Sequence, residues 1–100
     1  LLRADADALD AWAHDAAEAA TNGPGELDVA ALADVPAAVR ARVLHTAART
    51  AGSPPTDLSA GHVAELDRLV TDWHGQGPID LPGHVTARRE GATIRLHLLP

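Results

Sequence analysis

The stretch TDWHGQGPIDLPG, residues 71–83, separates two parts of the chain with different hydrophobic periods. Before it, apolar residues recur every three or four positions, the spacing that turns one helical face toward a core. After it they alternate, as in a half-buried strand. Trp73 closes the last helical stripe, Gly75 and Gly77 interrupt it, and Ile79 and Leu81 flank Asp80 in the first alternating run. A single change of period constrains the chain to an α+β fold: about three amphipathic helices packed on a three-stranded antiparallel β-meander.

The elements follow from local signals. Residues 1–20 carry Leu2, Leu9, Trp12, Ala13, Ala16 and Ala20 at helical spacing and stop at NGPG, 22–25. ELDV, 26–29, alternates briefly and is compatible with a short strand or an extended segment. Asp34 and Pro36 are start signals for a second helix with Val39, Val43, Leu44, Ala47 and Ala51 on one side before Gly52. The paired prolines of GSPPTD force a loop. Ser59 can cap a third helix, Leu58 can staple onto Val63, and Val63, Leu66, Leu69, Val70 and Trp73 form its inner stripe. PG at 82–83 and EG at 90–91 then separate three short strands. Trp12, Trp73, Gly75 and Gly77 are therefore expected to be structural, with the two glycines letting the chain leave the helix sharply.

The core has to be economical. Of the residues that make the chain 46% hydrophobic, 22 are Ala, against 13 Leu, 7 Val, 2 Ile and 2 Trp. Burial stabilises by roughly 25 cal/mol per Å² of apolar surface, so the few large side chains must carry most of the stability. The length of 100 residues suits one domain. With no Cys, disulfides, thiolate nucleophiles and Cys-type zinc sites are excluded, as in a reducing, cytoplasmic setting. No apolar run approaches the roughly 18 residues of a membrane span, and no basic-then-apolar leader is present, so no membrane partner is expected. The chain begins Leu-Leu and contains no Met, so a piece of a longer protein is expected.

Net charge is −6, which by itself argues against a nucleic-acid binder. The distribution of that charge points the other way. Residues 1–34 hold one Arg against eight acids, and residues 35–100 hold seven Arg against six. If Val85, Ala87, Ile94, Leu96 and Leu98 point inward, then His84, Thr86, Arg88, Arg95 and His97 share an outward face rich in donors and positive charge. Arginine binds phosphate bidentately, so that face suits an RNA backbone, and Arg42, His45 and Arg49 on the solvent side of the second helix would extend it. The alternative is ordinary strand charge paired with Glu90 or with the acidic first helix. Arg40 falls in the middle of an apolar stripe, where it either snorkels out or pairs with a carboxylate.

Other chemistry has weaker support. Asp7, Asp10, His14 and Glu18 line one helical stripe and offer metal-ligand atoms, but one helix seldom presents enough converging ligands, so a solvated acidic face is the plainer reading. No GxSxG, no HExxH and no phosphate loop ending in Lys occurs, since Lys is absent altogether.

The stretch LSAGHVAELDRLVTDWHGQGPIDLPGHVTARREG, 58–91, closely resembles the C-terminal portion of tRNA(Ile)-lysidine synthetases of the short bacterial form. LADVPAAVRARVLHTAA, 32–48, resembles the helix before it, and residues 1–20 resemble the segment leading from the catalytic module. That resemblance implies a tRNA-recognition domain, with tRNA(Ile) and an N-terminal ATP-pyrophosphatase module as partners. In that family the module adenylates an anticodon cytidine and joins lysine to it. ATP and Mg would belong to that module, whose SGGxDS loop has no counterpart here. No catalytic, cofactor or metal residue is carried over, and the domain alone is expected to be inactive. The rival expectation is a non-catalytic protein-interaction domain that uses the acidic first helix.

Overall fold

In a computed structural model describing residues 3–100, the change of period falls where the chain leaves its last long helix. Helix α1 (Arg3–Ala20) leads into strands β1 (Thr21–Gly23) and β2 (Glu26–Asp28). A short helix α2 (Val29–Ala33) and the longer α3 (Ala37–Ala51) and α4 (Ala60–Thr71) follow. Strands β3 (Ile79–Leu81), β4 (Val85–Glu90) and β5 (Thr93–Leu98) finish the fold. Leu2, expected in the first apolar stripe, lies outside the described residues.

The α+β class is as expected, but its counts are not. The sheet has five strands in the order β1-β2-β5-β4-β3, because β2 returns to pair antiparallel with β5 in the register Leu27↔Ile94. The meander β3–β4–β5 is present with antiparallel pairing throughout. The additional helix α2 begins at Asp28, whose carboxylate accepts from the Ala31 amide at 3.3 Å.

Packing follows the large side chains. Leu32, Val39, Leu44, Leu66, Leu69 and Ile94 are fully buried between the helices and one face of the sheet. Helix α4 starts as its sequence demands: the Ser59 hydroxyl accepts from the His62 amide at 3.2 Å, and His62 Nδ1 accepts from the Ser59 amide at 2.9 Å. Histidine thus takes the place that Glu or Gln usually fills in a capping box.

Trp12 departs from expectation. It is 49% exposed, while Ala13 and Ala20 take the buried positions. Those small residues let α1 lie close on α3, and the position before Ala13 is turned about 100° away around the helix axis. Leu98 is also exposed, at 58%, although it belongs to the inward set. It lies at the end of β5, opposite Val85, where the helical layer has run out to Gly52. Thr86 shows the converse: expected outward, it is buried between its cross-strand neighbours Asp80 and His97 and donates to the Ile79 carbonyl at 3.4 Å.

At the seam, Trp73 is half-buried and packs on the core as expected. The clasp beside it goes beyond that expectation. Arg89 stacks over the Trp73 ring at 4.4 Å and donates to the Leu69 carbonyl at 2.9 Å and to the Gly91 carbonyl at 2.7 Å. A guanidinium on the last turn of a helix satisfies carbonyls that have no partner within the helix and suits the negative end of its dipole. Arg89 shares the inward parity of Val85 and Ala87, which is the sequence signal that would have placed it there. Gly75 adopts φ 90, as a sharp exit requires, but Gly77 does not adopt a left-handed conformation and a Cβ there would meet nothing.

The β3–β4 turn holds two consecutive left-handed residues, Gly83 at φ 79 and His84 at φ 60. Left-handed geometry costs a non-glycine residue about 1–2 kcal/mol. His84→Gly is therefore expected to stabilise the fold by roughly 0.5–1 kcal/mol, after the entropy of a freer unfolded chain is set against the relief. Urea denaturation measures this, and a loss of stability would mean that the imidazole makes contacts that outweigh the strain.

Candidate nucleic-acid interface

The sheet presents its outer face bare, since α2, α3 and α4 pack on the opposite side. Cross-strand register sets Arg88 directly opposite Arg95, and Arg95 directly opposite Glu26. His97 stands opposite Thr86, and His84 sits exposed at the neighbouring turn with its carbonyl accepting from the Leu99 amide at 2.7 Å. The four residues expected to meet RNA from the sheet are thus on or beside one face.

Their charge is another matter. Arg95 is bound by Glu26 and, through Nε, by Glu90 at 2.7 Å, while Arg88 Nε lies 3.5 Å from Glu90. The hydrogen bond that Arg95 donates to Glu26, then the charge of that carboxylate, holds the Arg95 guanidinium above the ordinary arginine range. Asp80 is exposed opposite Thr86 and adds a third carboxylate. The face expected to be electropositive therefore carries two arginines against three acids. The expectation failed because Asp80 and Glu90 share the outward parity of Thr86 and Arg88 within the meander, and because β2, which local sequence marks as a possible short strand or extended segment, joins the sheet and brings Glu26 from the acidic first third.

The second cationic region lies between α1 and α3. Arg42, His45 and Arg49 project from one side of α3 into a cleft of about 450 Å³, closed on the other side by Asp10 and His14 of α1. Arg42 Nε donates to Asp10 at 3.0 Å, and its Nη1 donates to the Ala38 carbonyl at 3.4 Å. His14 Nε2 lies 3.2 Å from Glu18 along its own helix. Arg49 is exposed and, among the described residues, has no acidic partner.

The remaining charged groups are engaged locally. Arg40 is buried in α3 and pairs with Asp67 of α4 at 2.5 Å, the carboxylate alternative expected for it. Gln76 Nε2 donates to the Asp72 carbonyl at 3.2 Å and its Oε1 accepts from the His74 amide at 2.8 Å, so the polar residues of the seam fold onto the end of α4. Among the described residues, no group of three or more His, Asp or Glu could hold a metal ion, and no helix is long and apolar enough to cross a membrane.

Comparison with known proteins gives these surfaces a context. A family model described as the TilS substrate binding domain matches residues 27–94. Across 94 residues, 94% of the chain, the sequence is 52% identical to a tRNA(Ile)-lysidine synthase of Thermobifida fusca, covering 29% of that protein. The corresponding protein of Streptomyces coelicolor is 50% identical over 94% of the chain and 27% of its own length. That of Salinispora tropica is 42% identical over 94% of the chain and 28% of its own length. The chain spans less than a third of the length of each of these curated relatives.

Proposed function

The chain belongs to the TilS substrate-binding-domain family, and from that premise we propose that it is the tRNA-holding part of a tRNA(Ile)-lysidine synthase. In this reading the domain helps to position tRNA(Ile) while a separate N-terminal catalytic module, in the cytoplasm, carries out the ATP-dependent ligation of lysine to the anticodon wobble cytidine. The observation that carries it is the family match, which runs from β2 to β5 and so takes in three of the helices and most of the sheet.

ATP and Mg2+ are assigned to the catalytic module. No SGGxDS stretch is present in this chain, so no step of the ligation is placed on it. Holding RNA asks something different, namely cations and donors on an accessible surface, with affinity that depends on salt because bound counterions are released.

The test is binding of a tRNA(Ile) transcript to the chain across a salt series. Each phosphate contact contributes about −0.9 to the slope of log affinity against log salt, so two contacts weaken binding roughly tenfold between about 50 and 200 mM. Affinity that does not respond to salt would contradict a phosphate grip, and no binding at low salt would contradict the reading itself.

One observation favours a second reading. Trp12, half-exposed on a helix that carries Asp5, Asp7, Asp10, Asp15 and Glu18, is a surface suited to a basic protein partner, and the catalytic module is the natural candidate.

A further inference from the structure

The two cationic regions differ in how much positive charge is left over. On the sheet, Arg88 and Arg95 share Glu26 and Glu90, with Asp80 close by, so an incoming phosphate meets an arginine pair already satisfied and a carboxylate excess. In the α1–α3 cleft only Asp10, among the acids, lines the cavity beside Arg42 and Arg49, and it engages only Arg42. Glu18, on the same stripe of α1, is paired with His14. The carboxylate of Asp10 is 69% exposed and the Arg42 side chain 31%. Such an exposed pair contributes little to stability and opens readily.

We propose that the α1–α3 cleft takes a backbone phosphate of the bound RNA, with Arg49 as the standing cation and Arg42 as a second cation that exchanges Asp10 for the phosphate. This rests on the reading of the domain as a tRNA holder and assigns it a surface. His45 and the Thr46 hydroxyl supply further donors on the same side of α3. No Phe, Tyr or Trp lines the cleft, and its two guanidiniums and the Thr46 hydroxyl suit phosphate oxygens, which makes it a site for the sugar-phosphate chain rather than for base reading. The exchange also explains the geometry: the guanidinium of Arg42 is already turned into the cleft by Asp10, so a phosphate arriving beside Arg49 meets a second fork in place.

The experiment measures tRNA(Ile) binding by the unsubstituted chain and three variants, with thermal melts to confirm that each is folded. Arg49→Ala weakens binding roughly fivefold and makes the salt slope shallower by about 0.9, the loss of one phosphate contact. Asp10→Asn tightens binding roughly threefold, because it releases Arg42 and removes a repelling charge. Arg88→Ala combined with Arg95→Ala has a smaller effect than Arg49→Ala alone. Unchanged affinity in Arg49→Ala and Asp10→Asn, or a larger loss from the sheet pair, overturns the proposal. If the unsubstituted chain fails to bind tRNA, the functional reading falls and the cleft is judged separately with tripolyphosphate followed by NMR. Side-chain shifts concentrated at Arg42, His45 and Arg49 then uphold it as an anion site, and shifts elsewhere or none overturn it.

Discussion

Asp67→Asn is expected to destabilise the domain by about 3 kcal/mol, the loss typical of removing one partner from a buried ion pair. Arg40 is 7% exposed and sends Nε to Asp67 at 2.5 Å and Nη1 toward the Val35 and Leu32 carbonyls at 3.1 and 3.4 Å. The amide cannot neutralise the guanidinium, and the two carbonyls carry only partial charge, so a cation is left in the seam between α3 and α4. The Asp67 side chain is 29% exposed, so water relieves part of the penalty, which keeps the figure at the lower end of the range. For a domain of this size each 1 kcal/mol shifts the melting temperature by about 4–8 °C, so Asp67→Asn should melt more than about 10 °C lower. Arg40→Met removes the charge together with its need for a partner and should lose less. If Asp67→Asn cost under about 1 kcal/mol, the pair would be ornamental and α3 and α4 would be joined by their leucines alone.

Gly25→Ala should be at least as damaging. Gly25 turns the chain between β1 and β2 at φ 71, where an alanine Cβ would stand 2.2 Å from the Leu96 carbonyl oxygen. No rotamer can relieve that contact, because both groups are backbone or fixed to it. The hairpin must lift away from β5, breaking the 2.8 Å bond from the Leu96 amide to the Gly25 carbonyl and the Glu26–Arg95 pair with it. The left-handed penalty of about 1–2 kcal/mol adds to one or more lost backbone bonds of about 1 kcal/mol each, giving a loss of roughly 3 kcal/mol or more in urea denaturation. Gly77→Ala supplies the contrast. It has open space around it and no left-handed backbone, so its effect should stay within about 0.5 kcal/mol. Equal effects at the two positions would show that glycine flexibility, and not the close approach of two backbones, is what matters.

These two positions mark where the sequence was readable and where it was not. Helices α1, α3 and α4 and the β3–β4–β5 meander declare themselves through period, capping and turn residues, all of which act over a few positions. Arg40 in an apolar stripe was a visible anomaly with a foreseeable resolution. Strand β2, by contrast, has three residues and owes its place in the sheet to a partner far along the chain, since Glu26 and Arg95 are 69 positions apart, and β1 pairs with β2 alone. No local signal encodes such a pairing. The same nonlocality hid part of the charge on the sheet face: Glu90 could be named as a partner from the sequence, but Glu26 could be identified as the second only once the register was known. Trp12 misled for another reason. Periodicity marks a broad face, and within it the closest approach went to alanines, which let two helix backbones come together where an indole would hold them apart. The candidate cleft was half legible: Arg42 and Arg49 could be grouped on α3, but their neighbour Asp10 belongs to a helix whose docking the sequence does not announce.

The return of β2 to the side of β5 also sets the order of events during synthesis. The hairpin at 21–28 leaves the ribosome before α3 and α4, but the edge it needs arrives only with residues 93–95. Until β5 emerges, β1 and β2 have no third strand to join, so the five-stranded sheet closes only after all four helices have been made.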